Sequence, residues 1–287
     1  MNIKLWIILV VSVVLFFNGK LVTGMVQEES LKILTYNIRY DSPSGGINKW
    51  DRRKEWIVSQ LKAKDPTVFG IQEGLKQQVD YLQKRLKRYI YVGVGRDDGQ
   101  EKGEYSPIFF DSTKVKLIKT ETFWLSETPE KPSKGWDAAL NRICTYALFE
   151  EIQKKRRFFV FNTHFDHVGE VARLQSASLI LSKLEQQNLD NTPVIVMGDF
   201  NLEPESEGIR RIQQKLKDTQ KKADLTPKEV QGTFNGFNIE EPATRRIDYI
   251  FFGGRGLKML NSGILVEVKK NRYPSDHFPV YAEFVFE

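Results

Sequence analysis

Cysteine is almost absent from this chain. Cys144 is the single one in 287 residues, so no intrachain disulfide can form and no N-terminal cysteine is available for a lipid anchor. Stability must therefore come from an apolar core, which about 260 residues of mature chain can bury. Histidine is nearly as scarce. His164, His167 and His277 are the only three, and they form no multi-histidine cluster in the sequence. Without thiolates or such a cluster, a bound metal would be a hard, oxygen-ligated ion, Mg²⁺ or Mn²⁺ in preference to Zn²⁺. Linkers, repeats and low-complexity tracts are missing after residue 30. Long apolar runs are missing too, with one exception. Leu5–Phe17 is an almost unbroken run of about a dozen residues, within signal-peptide length and short of a membrane span. Lys4 precedes it, and Val22 and Gly24 suit small-residue cleavage. Residues 1–24 are read as a signal peptide and 25–287 as the working domain. The alternative is an uncleaved anchor. Cleavage implies a secreted or periplasmic protein without stable membrane association, and a monomer is expected.

Charge is balanced. Loss of Lys4 and Lys20 takes Lys+Arg from 43 to 41 against 37 Asp+Glu, a net charge near +4. That suits an anionic substrate without requiring a polyanion. The basic clusters Lys154-Lys155-Arg156-Arg157 and Arg210-Arg211 through Lys221-Lys222 read as solvated surface, with a nucleic-acid track as the alternative.

Runs rich in Val, Ile, Phe and Tyr predict strands at Lys32–Tyr36, Val68–Gln72, Tyr89–Val94, Pro107–Phe110, Lys116–Thr122, Ile143–Glu150, Phe158–Thr163, Val194–Gly198, Ile247–Phe252 and Phe278–Phe286. Helical periodicity covers Trp50–Lys62, closed by Asp65-Pro66, and Leu75–Leu86, with Leu75, Val79, Leu82 and Leu86 on one face. It also covers Val171–Leu184, with Val171, Leu174, Leu181 and Leu184 aligned. Many strands with few helices between them imply one layered α/β domain, two sheets packed face to face with helices outside.

Four scattered segments carry the chemistry. They are Leu34-Thr35-Tyr36-Asn37-Ile38-Arg39, Gly70-Ile71-Gln72-Glu73, Gly198-Asp199-Phe200-Asn201 and Ser275-Asp276-His277-Phe278-Pro279-Val280. Each puts an oxygen or imidazole just after a short apolar run. One alone is an ordinary turn. Together they suit metal-assisted attack of water on phosphorus. Glu73 and Asn37 offer the oxygens that Mg²⁺ prefers; the alternatives are a helix-start carboxylate and a turn-former. Asp199 can orient or deprotonate water, and Asn201 can hold a phosphoryl oxygen. His277 needs an acid other than the adjacent Asp276 to fix its tautomer, and Asp248, opening a strand, is the candidate. His164, where another apolar run ends, is a second catalytic imidazole. His167 is either part of the site or a loop hydrogen-bonding group.

On these residues, from Leu31 to Glu287, the chain resembles the endonuclease/exonuclease/phosphatase superfamily. The resemblance implies a four-layered α/β sandwich of two packed mixed β-sheets flanked by helices, with the site at one end of the sheets. It implies Mg²⁺ (or Mn²⁺) held by Asn37 and Glu73, with Asp276 as a further metal-side carboxylate. Asp199 and Asn201 would handle water and phosphate, and Asp248 would buttress His277. Glu104, in Glu104-Tyr105-Ser106-Pro107-Ile108-Phe109-Phe110, matches the acid that supports the first histidine of deoxyribonuclease-like members, His164 here. Arg142, with Asn141 beside it, matches a phosphate-binding arginine. Leu75 replaces the minor-groove arginine of the deoxyribonuclease pattern, and Arg246-Ile247-Asp248 stands where 5-phosphatases have Cys-Asp-Arg. The segment from Phe123 to Arg142 is similar to a mainly bacterial exported branch.

The expected function is hydrolysis of a small phosphorylated substrate. The alternatives are a low-specificity secreted nuclease, with nucleic acid as substrate, and a catalytically silent binding module. Trp124 and Trp136 either help to select the substrate, packing against a sugar or base, or belong to the core.

Overall fold

The computed structural model describes residues 30–220 and 232–287. Residues 1–24, read as a signal peptide, and the Lys221-Lys222 end of the second basic cluster lie outside the described residues. Among the described residues no helix is long and apolar enough to cross a membrane.

Two six-stranded mixed sheets form the centre of the molecule. Their strands are β1 (Leu31–Asn37), β2 (Val68–Gln72), β3 (Tyr89–Val92), β4 (Ile108–Asp111), β5 (Val115–Trp124), β6 (Ile143–Glu151), β7 (Arg157–His164), β8 (Val194–Asp199), β9 (Lys217–Asp218), β10 (Asp248–Gly253), β11 (Leu257–Ile264) and β12 (Val280–Phe286). The first sheet runs β11-β12-β1-β2-β4-β3 and the second β5-β6-β7-β8-β10-β9. Helices α1 (Trp50–Lys64), α2 (Lys76–Arg85), α3 (Glu170–Gln187) and α4 (Glu207–Gln213) complete the domain.

Side-chain alternation explains the four layers. Ile33 on β1, Val160 on β7 and Met197 on β8 belong to the core between the sheets. Leu34 and Tyr36 of β1 pack with Ile57, Leu61, Val79 and Leu82 of α1 and α2. Phe161 and Val196 of the second sheet pack with Ala177 and Ile180 of α3 and Ile209 of α4. Central strands covered on both faces read as continuous apolar runs, as these do.

The α3 face differs from the expected one. Its buried residues are Ala172, Ser176, Ala177 and Ile180, while Val171 is half exposed. Small side chains let this helix approach the sheet closely, and periodicity alone favours the larger Leu and Val positions. Three elements carry little sequence signal. The two-residue β9 exists through its pairing with β10. Edge strand β11 is broken by an irregularity between Met259 and Asn261. The short α4 is started by Ser206, whose side chain accepts from Ile209 N.

A buried polar contact joins the two sheets beneath the strand ends. Asn162 of β7 donates to Ile71 O (2.9 Å) and Pro107 O (2.8 Å) of the first sheet. Its oxygen accepts from Gln72 Nε2 at 2.7 Å. Gly70 opposes it, and a Cβ there would lie 2.4 Å from Asn162 Cγ. Asn162→Ala strands these buried partners, so it should cost about 3 kcal/mol of unfolding free energy, measured by urea denaturation. A loss under about 1 kcal/mol would show that the sheets dock without this bond.

Candidate active site

Strand register gathers the candidates at one end of both sheets. His164, last in β7, is the parallel partner of Asp199, last in β8. Asp248, first in antiparallel β10, opposes Asp199 from the other side. In the first sheet Asn37 ends β1 opposite Gln72, and Glu73 follows directly. Gly198 adopts φ 145°, and a Cβ there would meet Thr163 O at 2.0 Å, so only glycine lets β8 carry Asp199 so close to β7. Arg39, Glu73 and Asn201 all have positive φ (55°, 62° and 48°), a left-handed backbone at three positions of the site.

Asp199 lies at the centre. Its Oδ2 accepts from Asn37 Nδ2 at 3.0 Å, and its Oδ1 accepts from Asn201 N at 2.9 Å. His164 Nε2 lies 3.5 Å from Oδ2 and His277 Nε2 3.8 Å from it. Burial, then the nearby Asp248 charge, push its carboxyl up to about 7. His277 Nδ1 is 2.8 Å from Asp248 Oδ2. Burial opposes a charge on this ring, but Asp248 and Asp199 outweigh it and lift the ring to about 10. Asp248 is held in turn by Thr233, whose Oγ1 accepts from Asp248 N at 3.0 Å.

His164 has the opposite character. Burial and the Arg142 and Arg96 charges hold it well below the usual imidazole range, so it is neutral. Asn201 Nδ2 can only donate to its Nε2, at 3.2 Å, which puts the ring proton on Nδ1. Glu104, the acid expected to accept that proton, stands at 4.0 Å, beyond hydrogen-bond reach. The reason is Arg96, which takes both Glu104 oxygens at 2.8 and 3.0 Å.

Glu73 and Asp276, both buried, flank the guanidinium of Arg39. Burial would neutralise Glu73, yet Arg39 and His277 outweigh it and keep the carboxyl low; Asp276 is raised by burial. Asn37, expected as a metal ligand, also ties the acids of the site together. Its Nδ2 bridges Glu73 Oε1 (3.0 Å) and Asp199 Oδ2, and its Oδ1 accepts from Arg39 N. The donor set still suits Mg²⁺ or Mn²⁺. Glu73 and Asp276 already share one cationic group, and their oxygens are hard. Asp199, Asp248 and His277 bring their potential ligand atoms within 4.8 Å of one another. The short His277–Asp248 bond is better explained as an oriented imidazolium than as a metal shell.

Glu73, Glu104, His164, Asp199, Asn201, Asp276 and His277 line an open cleft of about 400 Å³, shared with Tyr40, Leu140, Arg142, His167, Phe234 and Arg245, whereas Asn37 and Asp248 are not part of its lining. Arg142 is buried, with Nε 3.2 Å from Asp166 Oδ2 and Nη2 2.9 Å from His167 Nδ1. Its Nη1 has no partner among the described residues. A buried guanidinium nitrogen left unpaired beside a cleft suits an incoming anion. His167 thus serves as Arg142's hydrogen-bond partner at the cleft wall. Asn141 does not line the cleft. With Leu140 and Arg142 both facing it, the residue between them turns away, and Asn141 Nδ2 contacts Arg96 O at 3.4 Å. Trp124 is core, its Nε1 donating to Arg96 O at 2.7 Å. Trp136 is half-buried and takes no part in the cleft lining.

The sequence alone assigns no role to Arg39, Arg96, Asp166, Thr233, Phe234 or Arg245. Arg39 and Asp166 lie inside segments that stand out for other residues, and that adjacency is the only signal they carry. Arg96, Thr233, Phe234 and Arg245 are brought in by tertiary packing alone.

Residues 34–277 match the Endonuclease/Exonuclease/phosphatase family. A solved protein of that family from Bacteroides vulgatus is 37% identical with a TM-score of 0.84, covering 91% of this chain and 100% of that one. The mannosyl-6-phosphatase from Bacteroides thetaiotaomicron is 36% identical with a TM-score of 0.83, covering 90% of this chain and 100% of its own. A probable RNA exonuclease of Schizosaccharomyces pombe is 26% identical over 61% of this chain and 37% of its own length. The first curated relatives are spanned over 37 to 67% of their lengths.

Proposed function

The chain belongs to the endonuclease/exonuclease/phosphatase family, and from that premise we propose that it is an exported, Mg²⁺-dependent phosphoric ester hydrolase of small phosphorylated molecules. The observation that carries this reading is a cleft lined by Asp199, His164 and His277 together with the buried cation Arg142, whose Nη1 has no partner among the described residues. The 36% identity to a mannosyl-6-phosphatase, over the full length of that protein, favours a sugar phosphate or a compound of similar size. The Leu5–Phe17 run supports export, and Leu75 in place of a groove-reading arginine argues against duplex DNA.

In this reading Asn37, Glu73 and Asp276 would hold the metal, with Asn37 also fixing Glu73. When bound, the ion polarises the phosphoryl oxygens and neutralises charge that develops on them. Asp199 orients the attacking water and accepts its proton. His277, kept charged by Asp248, stabilises negative charge on the phosphoryl oxygens, and Arg142 anchors the phosphate. Asn201 fixes Asp199 Oδ1 through its backbone N–H, and its side-chain amide donates to neutral His164.

Purified protein should release inorganic phosphate from sugar phosphates with Mg²⁺ or Mn²⁺, lose the activity in EDTA and regain it with added Mg²⁺. Turnover unchanged by EDTA would exclude the metal-dependent reading. Nucleotide release from RNA or DNA, falling steeply with salt, together with inertness toward sugar phosphates, would make the protein a nuclease instead. The curated exonuclease relatives are the reason to test that outcome.

A further inference from the structure

We propose that Arg39 is a resident counter-ion of the Glu73–Asp276 pair, and that its guanidinium must swing aside for a divalent cation to engage those carboxylates. The inference rests on the metal-dependent reading above. Arg39 Nη1 lies 3.4 Å from Glu73 Oε2, and Nε lies 3.5 Å from Asp276 Oδ2. The two acid side chains are only 10% and 9% exposed, whereas that of Arg39 is 38% exposed. Two carboxylates buried side by side are costly without a compensating charge, and Arg39 supplies it.

Of the other described cations nearby, none bridges the two acids as Arg39 does. Arg53 is also buried nearby, but its nitrogens are spent on the carbonyls of Ile38, Arg39, Asn48 and Pro274. His277 is held by Asp248 and favours the ionised acids only through its charge.

The contact is loose in the side chain and rigid in the backbone. Charge-assisted bonds in tight pairs measure about 2.7–2.9 Å, well under the distances here. Arg39 N donates to Asn37 Oδ1 at 3.0 Å, and Arg39 O accepts from Gln78 Nε2 at 3.0 Å and from Arg53 Nη2 at 2.6 Å. Its φ of 55° is held by those bonds. The Cα is therefore pinned while the guanidinium sits on the open cleft wall, able to leave by side-chain rotation. The paired conformer competes with the cation, and the apparent metal affinity falls by the fraction of molecules in which Arg39 stays home.

The test is calorimetric titration of Mg²⁺ and of Mn²⁺ into chelator-stripped protein without substrate. Arg39→Gln should bind about tenfold tighter than wild type, as expected if the paired conformer is about 90% populated. Arg39→Lys keeps the charge but cannot bridge both acids, and should bind about threefold tighter. Arg245→Gln removes a cleft arginine that pairs with Glu203 at 3.3 Å, and should change affinity less than about twofold. Unchanged or weaker binding in both Arg39 variants would overturn the inference. So would equal tightening in Arg245→Gln, which would reveal a general field effect. Absence of any cation binding to wild type would instead fell the metal reading itself. Arg39→Lys keeps the test decisive if Arg39→Gln does not fold.

Discussion

Asp199→Ala is expected to lower kcat by roughly three to five orders of magnitude, with the fold retained. Asp199 occupies the last position of β8, between His164 on one neighbouring strand and Asp248 on the other. Its carboxyl is pushed up to about 7 by burial and by Asp248, which places it where a proton acceptor works best near neutral pH. Asn37 and the Asn201 backbone aim it, at 3.0 and 2.9 Å, so little reorganisation is needed as the water is deprotonated. The fold should survive because the substitution removes a buried charge that burial penalises. Steady-state turnover, with circular dichroism and thermal melting on the same sample, checks both halves of the expectation. A folded variant keeping more than about a tenth of wild-type kcat would show that another group carries the proton.

The second large effect concerns the pair His277 and Asp248. His277→Ala should cost roughly three orders of magnitude in kcat/KM, and adding Asp248→Asn should cost little more, since the carboxylate acts through the ring. The pH profile supplies a second readout. Activity requires Asp199 ionised and His277 charged, so kcat/KM should rise through about pH 7 and fall through about pH 10. Asp248 raises both groups. Its replacement by Asn should therefore move the falling limb down toward neutrality and the rising limb to more acid pH. Fully additive losses in the double mutant, with limbs unmoved, would mean that Asp248 and His277 act independently.

Both expectations rest on contacts that are partly legible in the linear chain. Asp248 is the candidate partner of His277 because the adjacent Asp276 cannot share its side-chain direction, and the two lie 2.8 Å apart in the fold. The pairing of Glu104 with His164 is not legible to the same degree. Arg96, only eight residues before Glu104, takes both carboxylate oxygens through a loop reversal that no periodicity marks. Asn141 and Arg142 are neighbours in sequence, yet one turns toward a backbone carbonyl and the other toward the cleft. The tryptophans divide in the same way, Trp124 in the core and Trp136 only partly buried, because burial depends on which layer the segment meets.

By itself the sequence determined the layered α/β class, the central strands and the end of the sheets at which the polar side chains collect. Those follow from short runs rich in Val, Ile, Phe and Tyr and from polar residues placed directly after them, a local signal that needs no knowledge of partners. Tertiary structure alone decided the exposed face of α3, the edge pieces β9 and β11, and the charge state of each acid and imidazole. Packing density chose small residues over large ones beneath α3, and pairing with β10 made a strand of two residues. Charge state depends on what surrounds a group across the fold: His164 is neutral beside two arginines, whereas His277 is charged beside two aspartates. One residue type carries two opposite roles here because distant segments set the local field, and a linear chain does not display that field.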